Sequence, residues 1–138
     1  PRLAKIEEIN RSLNPGSTQT EYYLAPEPSV NDVILAKMPP GSLIVNATGL
    51  GKDRPGSPLT DACVFPENAM VWEINYRGDL LFMRQAEKQA DERNLKIEDG
   101  WMYFIYGWTQ VISEVCHMPI RGRKLLELSE IAQKYNKR

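Results

Sequence analysis

The chain is expected to fold as an α/β domain around a parallel sheet. Three polar segments, Asn46-Ala47-Thr48-Gly49, Asn75-Tyr76 and Asp99-Gly100, each follow an apolar run with the composition of a buried strand. Stretches of helical periodicity separate these runs, and alternating strands and helices imply right-handed crossovers in a parallel sheet. Ser42-Leu43-Ile44-Val45 is apolar without alternation, which predicts a strand covered by helices on both faces. Polar segments leaving parallel strands gather at the carboxyl edge of an open sheet, where such folds bind ligands.

In chain order, Leu3, Ile6, Ile9 and Leu13 follow helical spacing, and Pro1 is tolerated at a helix start. Asn14-Pro15-Gly16-Ser17 breaks that helix, and Thr20-Glu21-Tyr22-Tyr23-Leu24 has the β-branched and aromatic content of a strand. Ser29 with Asp32 reads as the amino-terminal box of a short amphipathic helix that carries Val30, Val33, Ile34 and Lys37 and is closed by Pro39-Pro40-Gly41. After the Ser42–Val45 strand, the Gly, Pro, Asp and Ser density from Gly49 to Pro66 predicts a loop that is either functional or mobile. Ala69–Ile74 restores a strand, Asp79–Asn94 reads as one surface helix, and Leu95-Lys96-Ile97 as a short strand. Met102–Val115 is an aromatic helix, and Leu125, Leu128, Ile131, Ala132 and Tyr135 draw the buried stripe of a last one.

Composition narrows the function. With 42% hydrophobic and 25% charged residues over 138 positions, one globular domain with its own core is expected. Seventeen basic and eighteen acidic residues, scattered along the chain, give no electrostatic footprint for nucleic acid or an anionic membrane. No apolar stretch reaches spanning length and no secretory signal opens the chain, so a cytoplasmic protein is expected. Cys63 and Cys116 lack partners at metal or redox spacing, which favours reduced structural thiols and no metal site. His117, the single histidine, adjoins Cys116 just before Pro119; it reads as a polar helix-end residue, because adjacent helical side chains diverge. Gly49-Leu50-Gly51 is the one G-x-G, but Arg54 and Pro55 follow where a dinucleotide fingerprint needs glycine and a helix.

The runs Ile44-Val45-Asn46-Ala47-Thr48-Gly49-Leu50-Gly51 and Val71-Trp72-Glu73-Ile74-Asn75-Tyr76, followed by Asp99-Gly100 opening an apolar helix, resemble in order and spacing the carboxyl-terminal half of shikimate and quinate dehydrogenases. The resemblance covers nearly all of residues 1–138. It implies a partial Rossmann-like parallel sheet with flanking helices, lacking the first strands and the Gly-rich turn. It also implies an NAD or NADP cofactor, a hydroxy acid such as shikimate or quinate as substrate, and a role in aromatic amino acid biosynthesis. By the same resemblance, Asn46, Ala47 and Thr48 run beside the cofactor's ribose and nicotinamide, while Ile74 and Gly100 bring backbone close to the nicotinamide. Tyr76 matches a tyrosine lining the substrate pocket. A glycine suits close backbone approach, since no side chain intervenes.

The family's lysine and aspartate pair lies on a separate amino-terminal catalytic domain. Lys5, Lys37, Lys52 and Lys88 sit in helical or loop contexts, so no catalytic residue is assigned here, and the chain alone is expected to be inactive with weak or absent cofactor binding. Two positions depart from the family pattern. The substrate-binding glutamine falls at Gly107, with Gln110 a turn away and aimed elsewhere, and a glycine expected soon after Gly100 is Met102. These departures leave open a second reading, a non-catalytic α/β binding module derived from the fold. The aromatics Trp101, Tyr103, Phe104, Tyr106 and Trp108 cannot share one helix face. Core packing is favoured over a stacking platform, and rings left exposed would favour a homodimer.

Overall fold

Three short apolar strands are too few to bury themselves and depend on what packs over them. The computed structural model describes residues 2–13 and 19–135. Its elements in order are α1 (Arg2–Leu13), α2 (Pro28–Leu35), β1 (Leu43–Asn46), β2 (Met70–Glu73), α3 (Leu81–Glu87), α4 (Ala90–Arg93), β3 (Lys96–Glu98), α5 (Trp101–Val115) and α6 (Arg123–Lys134). The strands form an open, all-parallel sheet in the order β1-β2-β3. Register places Ile44 beside Val71 and Val71 beside Ile97 on one face, and Leu43 beside Met70 on the other.

The first face is closed. Leu35, Leu59, Cys63, Phe65, Val71, Phe82 and Ala86 form the core, with Ile44, Leu95 and Ile97 packed against it. Phe65 and Phe82 meet edge to face at 5.8 Å between centroids, a favourable aromatic geometry. The long loop expected over Gly49–Pro66 supplies three of these core residues, so it is a packed part of the fold. Its polar groups are held as well: Ser57 donates to Gln85 at 2.7 Å, and the Thr60 backbone N–H donates to Asp32 at 3.0 Å. Asp32 is therefore a loop anchor; Glu27, not Ser29, occupies the N-cap of α2, with no side-chain cap bond.

The second face corrects the expectation of strands covered on both sides. Leu43 is 57% and Val45 41% exposed, and only the end of this face is covered, where Trp72 meets Tyr103 of α5 edge to face. The expected strand at Thr20–Leu24 is also absent, since residues 19–25 pair with no edge. Tyr22 instead accepts a hydrogen bond from Asn10 of α1 at 2.6 Å. The breaker Asn14-Pro15-Gly16-Ser17 and Pro1 lie outside the described residues.

The single helix expected over Asp79–Asn94 begins at Leu81 and breaks between α3 and α4. Gln89 leaves the helical path because its side chain serves the loop, accepting from the Phe65 N–H at 3.1 Å and donating to the Cys63 carbonyl at 2.9 Å. The last helix forms, but its stripe is not buried. Leu128, Ile131 and Tyr135 are exposed, because α6 packs on α5 and not on the sheet. Cys63 is buried, whereas Cys116 is exposed and serves no core. No described helix is long and apolar enough to cross a membrane.

Candidate functional site

Parallel register brings the three strand ends to one edge, and a buried carboxylate joins the first two. Glu73, the last residue of β2, is fully buried and accepts from the Asn46 side-chain amide at 2.7 Å and from the Asn75 backbone N–H at 2.8 Å. Burial pushes its carboxyl above the ordinary range, and the bonds from Asn75 and Asn46 offset part of that shift. Asn46 spends its other side-chain atom on the next turn, accepting from the Thr48 N–H at 3.0 Å and the Thr48 hydroxyl at 2.7 Å. Thr48 in turn accepts from the Leu50 N–H at 3.2 Å. The Asn75 amide donates to the Leu50 carbonyl at 3.1 Å, which closes the network between the β1 and β2 exits.

The third exit is attached through Gly100, whose N–H donates to the Asn75 carbonyl at 3.1 Å. A Cβ on Gly100 would fall inside the Ile74 carbonyl group. Its φ of −84° is open to any residue, so crowding alone demands glycine here. Asp99 caps the start of α5 by accepting from the Trp101 N–H at 2.7 Å, while its carbonyl accepts from Trp72 Nε1 at 3.3 Å.

Beside these exits lies a groove of about 310 Å³ between the 74–76 segment and α5, with Lys52 at its rim. Tyr76 stacks on Phe104 at 4.0 Å between centroids and 22° between planes. Tyr103 and Trp108 complete the aromatic wall. Of the α5 aromatics expected to pack, Trp101 and Phe104 are half-buried and in ring contact, whereas Tyr103, Tyr106 and Trp108 are each about half exposed. Such a wall offers planar surface to a ring, and Lys52 offers it a positive charge 5.0 Å above the Tyr76 ring.

Of the residues singled out in the sequence, Ile74 and Tyr76 line this groove. Asn46 and Gly100 are buried and do not line it: Asn46 donates to the Glu73 carboxylate and accepts from the Thr48 N–H, and Gly100 presses on the Ile74 carbonyl. Ala47 and Thr48 are exposed on the neighbouring exit and do not line the groove. Gly107 does, and a Cβ there would meet nothing within 4 Å. The groove is therefore open at Gly107. Gln110 bonds Glu114 at 2.8 Å along the exposed side of α5, away from the groove, and Met102 lies toward Ser129 of α6.

Two residues were missed in the sequence. Glu73 reads there as the polar end of a strand, and only its depth reveals the network. Lys52 was set aside as a loop lysine; the one available signal was its place directly after Gly49-Leu50-Gly51. Among the described residues, no group of three or more acidic, histidine or cysteine side chains could hold a metal ion. His117 sits past the end of α5 with φ 52°, in keeping with a helix-end role. No family model matches the chain, and no solved structure matches it significantly.

Proposed function

We propose that this chain is the nicotinamide side of a Rossmann-like domain from an NAD(P)-dependent oxidoreductase acting on shikimate, quinate or a related hydroxy acid. One observation carries the reading. The exits of three parallel strands share a single hydrogen-bonded network at the carboxyl edge and border an aromatic groove, the place where open α/β sheets bind ligands. In this reading the exposed Ala47-Thr48 exit and Ile74, held from below by the buried Asn46 and Gly100, face the redox coenzyme, NAD or NADP, and Tyr76 faces the hydroxy acid. A bound nicotinamide would exchange a hydride with the carbinol carbon of the hydroxy acid; this chain orients both molecules. Proton transfer falls to a lysine and aspartate on a separate amino-terminal domain, and the setting is the cytoplasm. The exposed side of the sheet and of α5 is where that domain, or a second copy of the chain, would sit.

Cofactor titration tests the reading through the fluorescence of Trp72, Trp101 and Trp108, with a hydride-transfer assay alongside. Weak, saturable quenching by NADPH and no turnover are expected. Tight binding or turnover by the chain alone would contradict the assignment of the diphosphate cradle and the acid–base pair to other parts of the enzyme. The second reading, a non-catalytic binding module, is favoured by Gly107 where a substrate-binding glutamine would stand. It predicts hydroxy acid binding with no response to NADPH at any concentration.

A further inference from the structure

Lys52 is held where it stands by its backbone. Gly51 donates its N–H to the Arg54 carbonyl at 2.7 Å, and the Gly51 carbonyl accepts from the Leu80 N–H at 3.1 Å. On the other side the loop presses on Gly78, whose missing side chain leaves room for it: a Cβ there would collide with the Gly51 carbonyl and lie 2.8 Å from Lys52 Cα. Gly78 also has φ +94°, a conformation that suits glycine. The 51–54 turn is thus clamped against the 78–80 segment, and the clamp aims the Lys52 side chain over Tyr76.

Charge around the groove is one-sided. Lys52 and Arg77 both lie over the Tyr76 ring, at 5.0 and 5.7 Å from its centroid. Asp53 is engaged by Arg77 at 3.0 Å and reaches Lys52 only at 3.8 Å. Two cations share the Asp53 carboxylate, and no acidic residue lines the groove. The Lys52 side chain is 24% exposed, against 62% for Arg77. A cation whose stem is mostly buried beside an apolar groove is fixed in position and attracts an anion there.

We infer that Lys52 is the binding residue for the carboxylate of a cyclic acid whose ring lies against Tyr76 and Trp108. The identity of the acid rests on the oxidoreductase reading; the charge and the groove do not. Lys52 holds the carboxylate end and so fixes which edge of the ring faces the 74–76 segment. Specificity then follows, because a neutral analogue of the same shape loses the ammonium contact.

The test compares shikimate with its methyl ester by amide chemical-shift titration of residues 74–76 and 103–108, in the native chain, Lys52→Gln and Lys52→Arg. The acid is expected to bind the native chain about tenfold more tightly than the ester. Lys52→Gln should remove that difference by weakening the acid alone, and Lys52→Arg should restore most of it. Equal affinity for acid and ester, unchanged acid binding by Lys52→Gln, or no shikimate shift up to its solubility limit would overturn the inference. An NADPH titration on the same samples separates the two claims. If NADPH moves the 46–48, 74–76 and 100 amides while Lys52→Gln binds the acid normally, the inference fails and the oxidoreductase reading stands. If acid binding depends on Lys52 while NADPH moves none of them, the oxidoreductase reading fails and the anion site stands.

Discussion

The two faces of the sheet come from the same three apolar runs, and yet one is sealed and the other half bare. Val71 and Phe65 on the sealed side are wholly buried, whereas Leu43, Val45 and Met70 on the other side are each more than 40% exposed. The difference lies in what each face meets. Loop 49–66 and α3 fold back on the first, whereas α5 meets the second at Trp72 through Tyr103 and leaves Leu43, Val45 and Met70 open. Apolar composition thus sets what a strand can bury, and the chain's connections decide what it does bury. The candidate site lies at the junction, where the closed side supplies rigidity and α5 supplies the groove.

Truncating the two sides should sharpen this contrast. Phe65→Ala is expected to cost about 3–5 kcal/mol, whereas Leu43→Ala should change stability by about 0.5 kcal/mol or less, both read from urea unfolding midpoints. Similar losses from both would mean the second face is covered in solution. At the junction, Gly100→Ala should cost roughly 3 kcal/mol, the upper range for overpacking, because its Cβ would meet backbone at Ile74. A freely tolerated alanine would show that the third exit is not pressed against the second.

Glu73 gives a smaller effect with a defined sign. Its folded-state carboxyl is raised above the ordinary 4.5 by burial, so the folded chain holds that proton more tightly than the unfolded chain. The linked stability is fully present below the unfolded value and is lost as pH rises through the folded value. Glu73→Gln should flatten that decline in unfolding curves taken from pH 4.5 upward. It should also cost about 1–3 kcal/mol at acidic pH, since the new amide must face either Asn46 Nδ2 or the Asn75 N–H, both donors. Parallel pH profiles for variant and parent would remove Glu73 from the account. The smallest change is Gly107→Ala, expected to stabilise α5 by up to about 1 kcal/mol through helix propensity, with no contact to disturb. A loss in thermal midpoint would show that something already occupies that part of the groove.

Much of this was legible in the residues. The apolar segments that lead into Asn46, Asn75 and Asp99 mark parallel strands and their shared edge, because β-propensity and polar exits are local properties. Other features depend on distant partners. The 20–24 segment has strand composition but pairs with neither open edge, Tyr22 being bonded to Asn10 of α1 instead. The 79–94 helix breaks because Gln89 is needed at Cys63 and Phe65, and the stripe of α6 stays open because α5 intervenes. In the site, Tyr76 and Ile74 are singled out only through the resemblance to shikimate and quinate dehydrogenases, and both line the groove. Lys52 and Glu73 are not singled out, since their roles come from a turn clamped on Gly78 and from burial.

The central claim is that the three strand exits form one crevice for the reactive ring of a redox coenzyme. The most direct measurement is an amide chemical-shift map of the native chain titrated with reduced nicotinamide mononucleotide, which carries that ring without the diphosphate bridge. The expected result is a set of saturable shifts confined to residues 46–48, 74–76 and 100–104. Shifts confined to other segments, or none at saturating ligand, would contradict it.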